Sequence, residues 1–203
     1  MKIEKYVKLS KNKYRIIFEN GEVFDTYDNV ILDNDLLLTH SISLELYKKI
    51  LSDTTMYEKY YSCLKYISIR IRSTNEIKKY LKKKGASEQE INLIIKKLLA
   101  TKNLDDDYFT KCYINDKLKF TSWGPYKIVF ELKQHDINQE IINKYNYLFE
   151  SDLIYNKMSK IIDKQIEANS KLDKYKLKNK IYNYLFKSGY DSSMITNILS
   201  EKL

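Results

Sequence analysis

Five positions recur twice along this chain at nearly constant spacing, and that recurrence constrains the fold more than any single element does. Ile77, Leu81, Gly85, Ser87 and Ile91 become Ile128, Leu132, Asp136, Asn138 and Ile142 on adding 51, then Ile181, Leu185, Gly189, Asp191 and Ile195 on adding a further 53. Two apolar residues four apart share a helix face. A turn-forming residue four positions later ends that helix, and a Ser, Asn or Asp two positions beyond it caps the next. Each unit therefore reads as a middle helix, a break and a third helix.

The first helices of the units are legible at Tyr57 to Ile69, Asp106 to Phe120, and Asp152 to about Asn169, with Asp105, Asp106 and Ser151 as candidate caps. Gly124-Pro125 opens the middle helix of the second unit, where Pro needs no N–H donor. Ser73 with Glu76 and Ser87 with Glu90 have the spacing of capping boxes. Ahead of the units, KIEKYVKL, YRIIF and EVFDTY read as a three-stranded meander with a two-residue turn at Asn20-Gly21. Short connector helices are expected near Asn29 to Leu37 and from Ser43 to Leu51. The expected fold is mostly α: three tandem three-helix repeats in an elongated array behind a small β-rich N-terminal module. The boundaries are 1–55 for the β-meander and connectors, then 56–103, 104–149 and 150–203 for the three repeats.

Charge separates the repeats. The net charge is +9 over 203 residues. Residues 59–103 hold twelve basic and three acidic residues, a net of +9, whereas 1–58, 104–149 and 150–203 stand at −2, −1 and +3. Within the middle helix of the first unit, Ile77, Tyr80 and Leu81 share one arc while Lys78, Lys79, Lys82 and Lys83 occupy the other. Arg70 and Arg72 stand just before it. A solvated lysine face is the plain reading. The scarcity of interspersed acids and the two guanidinium groups favour contact with phosphates or acidic side chains instead. Lys84, in the last turn, reads as a complement to the helix dipole. The corresponding faces of the other units carry Val129 and Phe130, and Tyr182 and Phe186. These read first as packing against neighbouring helices and second as a protein-docking surface.

Other chemistries find little support. Cys63 and Cys112 lack a partner at metal or redox spacing and read as reduced core thiols, and His40 and His135 are isolated. Asp105-Asp106-Asp107 reads as capping and dipole complement at a helix start. Trp123 could stack on a base, but beside Gly124-Pro125 it reads first as packing at a helix junction. No Gly-rich phosphate loop, nucleophile–base pair or cofactor motif is present, so no cofactor and no enzyme activity are expected. No apolar run approaches the roughly 18 residues of a membrane span. A soluble, cytoplasmic monomer is expected.

Three stretches, RSTNEIKKYLKKKG with its Glu90-Ile91 helix, NLDDDYFTKCYINDKL and GPYKIVFELKQHDI, resemble the RecX recombination regulators in order and spacing. The likeness spans about residues 56 to 145, with a β-rich leader similar to that of longer members. It implies a modular array of three-helix repeats that binds the RecA recombinase, lies along the groove of the RecA–DNA filament, and restrains ATP hydrolysis and strand exchange. Single-stranded DNA could be contacted directly. Gln134-His135-Asp136 departs from the family's commoner Lys-Gly break. The alternative is a helix-turn-helix-like regulator that binds DNA without RecA, against which stands the lack of a base-reading set on a third helix.

Overall fold

The chain opens with β1 (Ile3–Lys8), β2 (Lys13–Phe18) and β3 (Val23–Tyr27), an antiparallel sheet of order β1-β2-β3 in a computed structural model that describes residues 1–203. The turn between β2 and β3 is one residue longer than the Asn20-Gly21 dipeptide predicts. Gly21 N donates to the Phe18 carbonyl at 2.9 Å and Phe18 N to the Glu22 carbonyl at 2.9 Å, so Glu19, Asn20 and Gly21 form the loop. Gly21, at φ 84°, supplies the left-handed residue such a loop requires. One face of the sheet buries Ile16, Phe18 and Thr26. A three-stranded sheet of this size is marginal alone. Here it packs on the long helix that follows, through the 2.6 Å Thr26–Thr54 hydroxyl bond and the Tyr27–Tyr61 stack at 4.8 Å.

Ten α-helices complete the chain. The first connector divides into α1 (Asp28–Asp33) and a 3-10 turn (Leu36–Leu38). The second is not a separate element: α2 runs unbroken from Leu44 to Ile69, through the boundary expected at residues 55 and 56. Thr54 and Thr55 weaken helix propensity there. Thr55 returns its hydroxyl to the Leu51 carbonyl and Thr54 is held by the sheet, so tertiary contact carries the helix across.

The first repeat is α2 with α3 (Thr74–Lys83) and α4 (Glu88–Ala100); the second is α5 (Asp106–Phe120), α6 (Pro125–Gln134) and α7 (Gln139–Lys144); the third is α8 (Ser151–Ala168), α9 (Lys174–Lys187) and α10 (Ser192–Lys202). All nine apolar positions of the repeat are essentially inaccessible, from Ile77, Leu81 and Ile91 to Ile181, Leu185 and Ile195. The three breaks share one hydrogen-bond pattern. Ala86, Ile137 and Tyr190 donate to the carbonyls of Leu81, Leu132 and Leu185 at 3.1, 3.1 and 3.2 Å, across Gly85, Asp136 and Gly189 at φ 71°, 62° and 87°. This is the six-to-one closure of a helix end that left-handed residues make possible. Ser87, Asn138 and Asp191 then cap the third helices with their side chains. Asp105 likewise caps α5, whereas α8 begins at Ser151 without a side-chain cap, Glu150 being its N-cap residue.

The chain divides into two compact units, Met1–Ile71 with Ile77–Asn103, and Leu104–Leu203 with Arg72–Glu76. Within the second, the start of α6 meets the end of α9 backbone to backbone. Gly124 N donates to the Ser188 carbonyl at 2.7 Å and Tyr126 N to the Gly189 carbonyl at 3.0 Å, giving two orphan donors of α6 their partners. A Cβ on Gly189 would lie 2.4 Å from Lys127 N, whereas one on Gly85 would meet open space. Gly189→Ala should therefore cost about 3 kcal/mol or more, from strain and collision together, and Gly85→Ala about 1 kcal/mol, from φ alone. Urea-denaturation midpoints of the two variants give the order directly; equal midpoints would refute the backbone joint.

Candidate functional site: the basic face of α3

The first turn of α3 is built by reciprocal capping. Glu76 N donates to Ser73 Oγ at 3.2 Å and Ser73 N to Glu76 Oε2 at 3.1 Å. Thr74 N donates to Asp106 Oδ1 at 2.7 Å, so Asp106 serves α3 rather than its own helix. Ile77 and Leu81 point inward with no exposure. Tyr80 lies between core and solvent, its ring 4.4 Å from that of Tyr66 and nearly parallel to it. Lys84 sits just past the helix with Nζ 5.7 Å from the Tyr80 ring.

Four of the six cations proposed from sequence lie on α3 itself, and Arg70 closes α2 shortly before it. Lys79, Lys82 and Lys83 are exposed, Lys78 is half-buried, and Arg70 is exposed with Nη1 donating to the Ile71 carbonyl at 3.0 Å. Arg72 differs: its side chain is only 10% exposed and its Nη1 lies 3.3 Å from Glu76 Oε1. It buttresses the capping box, a role its sequence position before the helix did not reveal. Lys78 with Lys82, and Lys79 with Lys83, are like charges at i, i+4, each pair destabilising by roughly 0.2–0.5 kcal/mol. A helix selected for stability alone would mix signs at those positions.

The three acids of residues 59–103 are all engaged near helix starts. Glu76 caps α3; Glu88, in the first turn of α4, pairs with Lys82 at 2.8 Å; and Glu90 closes the Ser87 box while accepting from Lys59 Nζ at 2.6 Å. Lys82 is thus half-neutralised on an exposed pair of small energetic weight. Lys79 and Lys83 project without an ion pair.

The second set of sequence-proposed residues divides by depth. Val129 and Tyr182 pack against the cores of the second and third repeats, whereas Phe130 and Phe186 stand 58% and 57% exposed. Trp123 packs at its helix junction, with Lys117 and Lys127 Nζ each 4.6 Å from the ring. Burial pushes the Cys63 thiol up to about 12, which leaves it unreactive at neutral pH. Sequence reasoning missed Lys157 of α8, a half-buried lysine between Ile154 and Ile161 on the inward arc. The break it makes in an i, i+3, i+7 apolar ladder was the available signal.

Comparison with known proteins places these helices. Residues 60–98 match the model of the RecX first three-helix domain, and residues 105–145 that of the second. A crystal structure of a regulatory protein RecX superposes with a TM-score of 0.84 over 97% of this chain and 98% of that one, at 22% identity. The chain belongs to the RecX family. Its RecX relatives include the regulatory protein of Oceanobacillus iheyensis, 27% identical over 200 residues that span 96% of this chain and 73% of the relative. That of Finegoldia magna is 27% identical over 191 residues, 93% and 88% of the two chains. RecX from Lactobacillus salivarius superposes over 72% of this chain and 96% of its own with a TM-score of 0.65 at 23% identity. The whole of α3 lies within the first RecX domain, and no helix of the chain is long and apolar enough to cross a membrane.

The Lys59 ammonium and the Ser87 donors hold the Glu90 carboxyl below its ordinary value of 4.5. Because the folded value is the lower one, this contribution to stability is present above about pH 4.5 and is lost as pH falls through the folded value. Glu90→Gln should therefore be destabilised relative to the parent at pH 7 and converge with it as acid protonates the folded carboxyl. Thermal melts across that range test this; a gap that persists in acid would assign the effect to shape rather than charge.

Proposed function

We propose that this RecX-family chain is a non-enzymatic regulator of homologous recombination that binds the RecA–DNA filament and inhibits RecA ATP hydrolysis and strand exchange. It acts as a monomer in the cytoplasm, with residues 56–103, 104–149 and 150–203 as its three modules. The observation that carries this reading is the outer face of α3 within the first RecX domain. Lys78, Lys79, Lys82 and Lys83, with Arg70 beside them, form a cationic stripe whose nearby acids are engaged near helix starts. Such a stripe suits phosphates of filament DNA or acidic side chains of the recombinase. Phe130 and Phe186, exposed on the equivalent helices, would supply apolar contacts to the protein partner.

Substoichiometric chain should slow DNA-dependent ATP hydrolysis by its cognate RecA. Reversal of Lys78, Lys79, Lys82 and Lys83 to Glu should raise the concentration for half-inhibition by about tenfold or more. If the five outward cations meet single-stranded DNA, log affinity should fall with log salt at a slope of about −3.5. Absence of inhibition at any ratio would overturn the proposal. Salt-dependent DNA binding without any effect on RecA would support the direct DNA-binding alternative.

A further inference from the structure

A second cationic surface lies in the other unit, where α5, α8 and α9 border a groove of about 810 Å³. Four lysines line it, Lys119 from α5 and Lys157, Lys160 and Lys164 from α8, and no Asp or Glu does. The three lysines of α8 fall at i, i+3 and i+7, on one helix face, and span about 10 Å along the axis. That is the length of two or three successive backbone phosphates. Lys157 is half-buried, and its Nζ finds only backbone carbonyls, Trp123 O at 2.8 Å and Lys117 O at 3.5 Å. Burial without a carboxylate pulls its ammonium down to about 8. An anion in the groove would supply the missing countercharge.

The mouth of the groove carries rings as well as charge. Phe120, at the last position of α5, is 71% exposed, with Lys119 Nζ 5.1 Å from its ring. Tyr184 of α9 also lines the groove, tethered to Ser122 through a 2.9 Å hydroxyl bond. The Phe120 ring is open to solvent and so accessible to a stacking partner. The remaining polar lining, including Asn156 and Gln165, is neutral and able both to donate and to accept. Lysine phosphate contacts interleaved with open ring faces describe a track for single-stranded nucleic acid. An acidic peptide would use the charge but not the rings, and would be better matched by the planar fork of arginine. A duplex does not fit a groove of this volume and cannot present unstacked bases to Phe120.

We infer that this groove is a binding track for a short run of single-stranded nucleic acid, with backbone phosphates on Lys157, Lys160 and Lys164 and a base stacked on Phe120. The site is separate in sequence from the α3 face and does not depend on RecA, although it would complement the regulatory role proposed above.

The test uses the full chain without RecA and a fluorescein-labelled oligodeoxythymidylate of about 12 nucleotides, read by fluorescence anisotropy. Phe120→Ala should weaken binding by about tenfold, from the loss of one stacked base, while Phe120→Tyr should restore it. Lys160→Glu with Lys164→Glu should weaken binding and flatten the log-salt slope by about 1.4. These side chains are exposed, so matching thermal melts separate lost binding from lost fold. A chain with Lys79, Lys82 and Lys83 reversed should keep the Phe120-dependent part of the affinity. Parent-like binding by both groove variants would overturn the proposal. So would competition by thymidine monophosphate as effective per nucleotide as the oligomer, which would make the groove a free-nucleotide pocket. Tighter binding of polyglutamate than of the oligomer would overturn it in favour of an acidic peptide. The two readings fail separately: groove variants that bind the oligomer normally while RecA is still inhibited refute the groove alone, and an intact groove with no effect on RecA refutes the regulatory role alone.

Discussion

Closure of each middle helix across a left-handed residue is the interaction on which the rest of the architecture depends. In all three repeats the N–H two positions beyond the buried leucine's turn reaches back to that leucine's carbonyl, so the residue that anchors the core also terminates its helix. The left-handed residue stands two positions before a Ser, Asn or Asp cap, which starts the third helix. Gly85 and Gly189 adopt the required φ without penalty. Asp136 adopts it as well, and a short polar side chain is among the few that tolerate that region. The departure from glycine in the second repeat therefore changes the residue but not the geometry.

The same turn has acquired a second use in the third repeat. The Gly189 carbonyl accepts from Tyr126 N, and the neighbouring Ser188 carbonyl from Gly124 N, so the start of α6 is completed by the end of α9. Backbone bonds of this kind need approach distances that a Cβ on either glycine would forbid. At the start of α3, side chains perform the equivalent task, with Asp106 serving Thr74 N and Asn75 Nδ2 reaching the Gln134 carbonyl at 3.4 Å. Side-chain and backbone solutions thus satisfy the same orphan donors of a middle helix.

Charge is distributed by the same logic. The acids of residues 59–103 stand near helix starts, where they complement exposed N–H groups and the dipole. Since the same residues also take Arg72, Lys59 and Lys82 as partners, the outward side of α3 retains lysines with few counterions. The cationic stripe is in part a by-product of how capping consumes carboxylates. In the second unit Lys157 shows the opposite arrangement, a cation held inward by carbonyls.

The repeat, the three breaks and their caps were legible in sequence because each rests on interactions within about ten residues: a four-residue apolar spacing, a residue that tolerates positive φ, and a side chain that reaches an N–H two or three positions on. The cationic character of α3 was legible for the same reason, as the phase of lysines around one helix. What sequence could not show depends on neighbours distant along the chain. The sheet and Thr54 carry α2 across an expected break, Glu76 draws Arg72 out of the outward set, and Asp106 caps a helix more than thirty residues earlier. Val129 and Phe130 are adjacent in sequence, yet one packs into a core and the other stands in solvent. Helical phase gives the direction in which a side chain points, but only the tertiary structure decides whether another element is there to meet it.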